Sequence, residues 1–470
     1  MNDTSEAVKR TSAKRLRLAL ANLGCKLNHA EGEAMKHLSA GAGFELVPFG
    51  EEADVYVVNS CTVTAEADRE GRRLARRARR VGGPNARVVI AGCSAQANTE
   101  GMLIPEADLL LGNREKLRLP DELARPRLRD EMPEVRVSPI EESLEIESVV
   151  LPQFGSRTRA YLKVQDGCNF SCSFCATTIA RGASRSLDLD SCVEHADTLL
   201  SGGHEELVLT GVHLGAYGRD KKPRSTLSRL VSRLLEIERN FRLRLSSVEP
   251  GEFTHELIRV VAGEAYGAGS SNGGSYVCRH FHIPVQSGDD ETLAAMNRNY
   301  TSARCARRFD EIARKIDGAC LGGDFIVGFP GESKEAFERT MEWVRESPLA
   351  YLHVFPYSPR EGTAATELQG QISKTEQKTR TRALQELGRR KWAAFVSSQT
   401  GRETDVLFES RRTEDGFLTG LSDNYIRVLA SGPDEWIGRK VRTRLAPLPE
   451  KNGFSRIAAR SDALWGEFAP

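Results

Sequence analysis

The sequence predicts an α/β protein in three parts: a parallel-sheet domain, a central (β/α)6 partial barrel and a small terminal β-barrel. Three observations carry that prediction. Apolar runs alternate with helical patterns over 17–94 in a βαβαβ rhythm, which implies a parallel sheet. The alternation resumes after a cysteine-rich loop at 168–175 and continues to about residue 358. Beyond Gly401 the pattern changes to short alternating segments separated by turn residues. The three parts are set at 16–128, 154–386 and 394–458.

Bulk composition narrows the class. The 470 residues suffice for two or three domains. Lys and Arg number 66 against 65 acidic residues, so any polyanionic partner must be met by local patches and not by global charge. The ten cysteines lack the density of a disulfide scaffold, which points to a reducing compartment. The start, to Lys14, is polar, and the apolar run after it is short and broken by Arg17; this is no signal segment. No run approaches the length of a membrane span. A soluble cytoplasmic protein without membrane association is expected.

In the first part, strands are predicted at 17–23, 54–59 and 87–91, with helices at 30–40 and 65–80. Each strand ends in a turn carrying one cysteine: Cys25, Cys61 and Cys93. Ligands of open parallel sheets bind at the carboxyl ends of strands, so three thiols distant in sequence can converge there. Three buried structural thiols are the plain alternative; their equivalent placement favours cluster ligation. The second helix carries seven arginines between Arg69 and Arg80 against one glutamate. Leu74 and Ala78 can face the sheet while the arginines fan outward, either as a solvated face or as a contact for RNA phosphates. The stretch 120–151 reads as linker plus irregular strand.

The second part opens with an extended segment from Arg159 that ends in a turn at Gly167. Cys168, Cys172 and Cys175 follow at C-x3-C-x2-C spacing. Cysteine thiolates are the usual ligands of iron–sulfur clusters, and three of them leave one iron open. Structural zinc normally takes paired C-x2-C elements, and no second pair lies nearby. Later strands are predicted at 203–211, 243–249, 280–288, 323–331 and 351–358, separated by helices such as 291–298, 303–316 and 334–346. His280 and His282 alternate on one strand, and at least one of them reads as a core histidine. A Gly- and Ser-rich insertion occupies 261–276, and Cys192, Cys278, Cys305 and Cys320 have structural spacing.

In the last part a long helix, 374–398, carries Arg380, Arg382, Arg389, Arg390 and Lys391. Strands at 403–408, 416–420, 425–429 and 440–445 then indicate a barrel of about five strands.

The C-x3-C-x2-C loop resembles that of the radical S-adenosylmethionine (SAM) superfamily. The segments Leu23-Gly24-Cys25-Lys26-Leu27-Asn28, Asn59-Ser60-Cys61-Thr62-Val63-Thr64 and Ala91-Gly92-Cys93 resemble the N-terminal domain of its methylthiotransferases. The resemblance covers roughly 16–458 and implies two [4Fe–4S] clusters, one on Cys168, Cys172 and Cys175 and one on Cys25, Cys61 and Cys93. It implies SAM as cofactor and a terminal barrel of the TRAM type that binds RNA. Thr210, Ser247, Glu249, Gln286 and Asp324, at strand ends, are placed to line the SAM pocket. Exposed Tyr425 would stack on an unpaired base.

Within the family, Asn59 to Asp68, Leu209 to Gly218 and His353 to Arg360 resemble the branch that modifies threonylcarbamoyl-adenosine at tRNA position 37. The implied partners are the tRNA anticodon loop, a low-potential electron donor and a sulfur donor. Rival readings are the same chemistry on isopentenyl-adenosine in tRNA or on a ribosomal-protein aspartate. Two more are another radical SAM reaction with structural N-terminal cysteines and a non-enzymatic iron–sulfur RNA-binding protein.

Overall fold

The structure, a computed structural model, describes residues 15–126, 132–155, 157–264, 274–449 and 463–468. The N-terminal domain comprises β1 (Arg17–Asn22), α1 (Lys26–Gly41), β2 (Glu45–Val47), β3 (Val55–Ser60), α2 (Ala65–Gly82), β4 (Arg87–Gly92), α3 (Cys93–Ala97), α4 (Thr99–Met102), β5 (Leu109–Leu111), α5 (Leu119–Ala124) and β6 (Glu134–Arg136). Its six strands run parallel in the order β2-β1-β3-β4-β5-β6. Every residue of β3 and β4 is buried, which explains their unbroken apolar character. Two strands, β2 and β5, escape the sequence reading because three residues carry no usable periodicity, and β6 is the irregular strand expected within 120–151. The stretch read as linker plus irregular strand thus contributes a helix, α5, and the sixth strand.

The predicted packing of α2 holds, with Leu74, Ala75 and Ala78 buried against the sheet and the Thr64 hydroxyl capping its first turn. Its charge surplus is smaller than the local sequence implies. Arg69 and Arg73 pair with Glu66 and Glu70, Arg76 with Glu106, and Arg79 with Asp108 at 2.6 Å. Three of those four acids lie outside the arginine window.

The core comprises β7 (Ala160–Lys163), β8 (Gln165–Asp166), α6 (Thr177–Arg181), β9 (Arg185–Ser186), α7 (Leu189–Ser201), β10 (Glu206–Thr210), α8 (Leu227–Leu235), β11 (Arg242–Leu245), α9 (His255–Val261), β12 (Tyr276–Val277), β13 (His280–His282), α10 (Asp290–Ala295), α11 (Ser302–Lys315), β14 (Cys320–Val327), α12 (Lys334–Glu346) and β15 (Tyr351–Pro356). Six strands, β7, β10, β11, β13, β14 and β15, follow one another around an open (β/α)6 barrel. The ladder breaks between β11 and β13, where the Val248 N–H donates to the His282 carbonyl at 3.1 Å. Leu207, Leu209, Leu243 and Leu245 join Leu199, Leu200, Leu230 and Leu234 of the surrounding helices in one core. Strand alternation then turns Glu206, Val208, Thr210, Arg242 and Arg244 into the lumen. Ser, Thr or Asp caps α7, α8, α9, α10, α11 and α12, each accepting a first-turn backbone N–H. Of the Gly- and Ser-rich insertion, 265–273 lies outside the described residues; the chain re-enters as β12, beside β11.

The long helix α13 (Lys374–Ser398) packs on β14 and β15 and leads to β16 (Glu403–Arg412), β17 (Leu418–Ser422), β18 (Arg427–Ala430), β19 (Lys440–Ala446) and β20 (Leu464–Glu467). These close a five-stranded barrel in the order β16-β17-β18-β20-β19. The barrel docks on the lumen end that opens at the strand starts. Glu206, Arg242 and Arg244 are wholly buried there; the arginine Nε atoms lie 2.6 and 2.7 Å from the Glu206 carboxylate. Their remaining N–H groups donate to carbonyls of Asp405, Leu421, Ser422 and Asp423. Tyr425 belongs to this plug. Its ring stacks on His280 at 4.3 Å and under the Arg244 guanidinium at 5.3 Å, so it is no exposed platform for an RNA base. Arg380 is likewise structural, buried against Glu332, and Lys391 donates to two carbonyls.

Candidate active site

The loop cysteines sit where β8 and β9 pair below α6. Gly167, at φ +70, makes the entry turn; a Cβ there would lie 1.9 Å from the Ala183 carbonyl. The Cys168 N–H donates to the Gly182 carbonyl, closing the loop at its base. Asn297 donates to the Ser171 carbonyl at 2.7 Å, and Ser173 Oγ to the Ala295 carbonyl at 2.8 Å, which pins the loop to the end of α10. Every sulfur has a hydrogen-bonding neighbour: the Phe170 N–H to Cys168 and the Thr177 N–H to Cys175, each at 3.4 Å, and Arg298 NH1 to Cys172 at 3.0 Å. Donors aimed at three half-buried sulfurs suit a cluster held by thiolates, because such bonds stabilise sulfur-borne negative charge.

Around this loop stand polar groups that no spacing signal announces. Arg298 pairs with Glu249 and also reaches Tyr300 Oη at 2.8 Å. Burial raises the Glu249 carboxyl above its usual range even with Arg298 beside it. His213 Nδ1 lies 3.5 Å from Cys168 Sγ, and its Nε2 lies 2.8 Å from Glu252. Burial opposes its protonation, but Cys168 and Glu252 raise His213 to about 9.

The second group forms at the carboxyl ends of neighbouring strands β1, β3 and β4. Cys25 precedes α1, Cys61 follows β3, and Cys93 opens α3. Gly24, at φ +90, lets the first turn pass so close that a Cβ would meet Cys61 Sγ at 2.6 Å. Asn28 ties the turns together, its Nδ2 donating to the carbonyls of Leu23 at 3.0 Å and Ser60 at 2.6 Å. Its Oδ1 lies 3.9 Å from Cys93 Sγ, and Asn113 Nδ2 donates to that sulfur at 3.6 Å. The Ser94 hydroxyl donates to the Cys61 carbonyl and to Asp68. Burial raises the Cys61 thiol to about 12, and Cys93 beside it adds to the shift. Such a thiol stays protonated until a metal displaces the proton. Convergence of three thiols on one another is the donor set that a cluster with one open iron requires.

Three contacts link the two groups. Arg181, at the end of α6, sends NH2 to Asn28 Oδ1 at 2.6 Å. Asn113, which touches Cys93, also donates to the Ala180 carbonyl at 2.6 Å. Arg360, beyond β15, reaches Thr62 Oγ1 and Asp68 Oδ2, both at 2.5 Å, immediately after Cys61. The five residues of α6, about 7.5 Å of helix, separate the link at Arg181 from the loop cysteines.

The five residues predicted for the SAM pocket scatter along the lumen. Thr210 turns its hydroxyl back onto the Val208 carbonyl, and Ser247 is exposed. Glu249 is tied to the cysteine loop through Arg298. Gln286 sits in a left-handed conformation, φ 70, where it bridges to Phe325. Asp324 lies deeper, 2.9 Å from His282 Nε2 and 3.2 Å from His353 Nδ1. Burial opposes its ionisation, but those imidazoles hold it well below the usual range. Tyr351 Oη continues the chain, 2.9 Å from His282 Nδ1 and 2.8 Å from His280 Nε2. Both histidines are therefore core groups with hydrogen-bond partners. Cys192, Cys278, Cys305 and Cys320 are buried away from either group, as their spacing suggests.

Comparison with known proteins finds family models over the first two parts of the chain. Residues 17–112 match a family described as "Uncharacterized protein family UPF0004", and 162–344 match the radical SAM superfamily. The threonylcarbamoyladenosine tRNA methylthiotransferase MtaB of Bacillus subtilis is 35% identical over 448 residues, covering 94% of this chain and 96% of that protein. Its namesake from Aquifex aeolicus is 35% identical over 428 residues, covering 91% and 99%. Among solved structures, the radical SAM methyltransferase TsrM of Kitasatospora setae superposes with a TM-score of 0.51 at 16% identity, covering 73% of this chain and 76% of that one. That last likeness speaks to fold alone.

Proposed function

Because the chain belongs to the radical SAM methylthiotransferases of the MtaB type, we propose that it places a methylthio group on C2 of N6-threonylcarbamoyladenosine at position 37 of tRNA. The observation that carries the reading is the pair of three-cysteine groups linked through Arg181, Asn113 and Arg360. When bound, two [4Fe–4S] clusters and SAM supply the radical and the sulfur-bearing group. Cys168, Cys172 and Cys175 would hold the SAM-binding cluster, and Cys25, Cys61 and Cys93 the second. Arg298, the Phe170 N–H and the Thr177 N–H stabilise thiolate charge at the first. Thr210, Ser247, Glu249, Gln286 and Asp324 are proposed to line the SAM pocket, and Glu249 is the one tied to the cysteine loop. The terminal barrel closes the far end of the lumen, keeping water from a radical formed inside it.

Lys26 favours this substrate over an isopentenyl one. It follows Cys25 directly and makes no hydrogen bond or ion pair among the described residues. Burial, with the charges of Arg244 and Arg159, lowers its ammonium to about 8, which leaves it cationic at neutral pH. A threonylcarbamoyl group carries a carboxylate for such a cation; an isopentenyl group carries none. The further partners are a low-potential electron donor and a sulfur donor, and the setting is the cytoplasm. Among the described residues no helix is long and apolar enough to cross a membrane.

Mass spectrometry of nucleosides from total tRNA, with and without the gene, tests the assignment. Loss of the methylthio group from threonylcarbamoyladenosine alone is the expected result. Loss from isopentenyl-adenosine instead would overturn the substrate and leave the chemistry standing. No change in either would overturn both tRNA substrates, and a ribosomal-protein aspartate would be the next substrate to examine.

A further inference from the structure

The contact between the N-terminal domain and the core buries more positive than negative charge. Arg181, Lys163, Lys116 and Arg185 are all buried there, against two buried carboxylates, Glu31 and Asp166. Glu31 lies at the centre. It receives Arg181 through NH1 and NH2, each at 2.9 Å, Lys163 Nζ at 2.8 Å, and Lys116 Nζ. Asp166 takes Arg181 NH1 and Lys163 Nζ, both at 3.0 Å. Arg185 donates to the carbonyls of Ala183 and Arg181 and lies 3.9 Å from Asp166. Unbalanced buried charge is costly unless a counter-charge stands beside it. Beyond this group lies Cys93: Arg181 NH2 donates to Asn28 Oδ1, which is 3.9 Å from Cys93 Sγ, so a cluster bound by Cys25, Cys61 and Cys93 would bring negative charge next to the surplus.

We propose that Arg181, supplied by the core domain, balances the charge of the iron–sulfur cluster on Cys25, Cys61 and Cys93 and raises its reduction potential. The inference rests on the two-cluster reading given above. Three thiolates on a [4Fe–4S]2+ core leave the group with one net negative charge. One electron from a low-potential donor takes the core to [4Fe–4S]+ and the group to two. A fixed cation in a low-dielectric contact stabilises the doubly charged form more than the singly charged one. The same residue holds Asn28 and, through it, the turns carrying Cys25 and Cys61. Arg181 is therefore a positioning residue whose charge also acts. Because it comes from the other domain, the second cluster reaches its working potential only when the domains are docked.

The test is an EPR-monitored redox titration of the reconstituted full-length enzyme, with dithionite as reductant. The signal of the second cluster is assigned from a Cys168→Ala/Cys172→Ala/Cys175→Ala variant, which retains it alone. Arg181→Gln is expected to shift that potential negative, and Arg181→Lys, which keeps the charge, to restore most of it. Glu31→Gln removes a carboxylate instead and is expected to shift the potential positive, so an Arg181 variant that fails to load does not end the test. A purely structural contact predicts lower thermal stability in both with no shift of opposite sign, and that result would overturn the proposal. A wild-type enzyme holding one cluster, absent from the triple variant, would overturn the two-cluster reading itself.

Discussion

At the scale of single residues, the site depends on a few positions where no other side chain fits. Gly167 combines a left-handed conformation with a hypothetical Cβ 1.9 Å from a backbone carbonyl. Gly167→Ala should therefore displace the cysteine loop, and iron analysis of the purified variant should show the first cluster depleted. Arg298 acts by charge and not by shape, linking Cys172 to Glu249. Arg298→Met leaves Glu249 buried without its partner, and the rate of reductive SAM cleavage should fall about 10- to 100-fold. Lys26→Met should raise KM for the modified tRNA more than it lowers kcat, since the lysine is assigned to binding. The six cysteines were legible because their spacing, or their position after a strand, is itself a pattern. Arg298 and Asn113 were not legible: each belongs to the site only through the fold. Asn28, His213 and Arg360 fell within motifs read from the sequence, but what they touch was not readable there.

At the scale of elements, long strands and capped helices were readable and short ones were not. The predicted helices 334–346 and 374–398 coincide with α12 and α13, whose capping serines mark their starts. Three-residue strands such as β2 and β5 exist because a neighbouring strand pairs with them, which no local window contains. The arginines of α2 misled for a related reason, since Glu106 and Asp108 arrive from another turn of the chain. Tyr425 looked exposed in sequence and is instead packed beside the plug of Glu206, Arg242 and Arg244. Glu206→Gln strands two buried guanidinium groups and should cost about 3–5 kcal/mol of stability in chemical denaturation. Burial opposes ionisation of Glu206, but Arg242 and Arg244 hold its carboxyl far below the usual glutamate range. Its contribution is thus complete above the ordinary glutamate value, about 4.3, and is lost as pH falls below it. Denaturation curves of wild type and Glu206→Gln should converge in that acidic direction.

At the scale of the whole molecule, three domains divide one task. The N-terminal sheet presents three thiols at adjoining strand ends, the core presents three in one loop, and the terminal barrel seals the opposite end of the lumen. The three-part architecture and the two cysteine groups were legible in sequence order; the RNA-stacking role read for Tyr425 in the terminal barrel was not borne out. Sequence order did not show that the core reaches into the N-terminal site through Arg181 and Arg360, because those contacts join residues more than a hundred positions apart. The central claim is that both thiol groups hold clusters and that each has its own step. The direct test is a reconstituted Cys25→Ala/Cys61→Ala/Cys93→Ala enzyme, assayed for iron, 5′-deoxyadenosine and methylthiolated tRNA. One remaining cluster, continued cleavage of SAM and no methylthiolated product are expected. Normal product from that enzyme, or an iron content equal to that of wild type, would contradict the central claim.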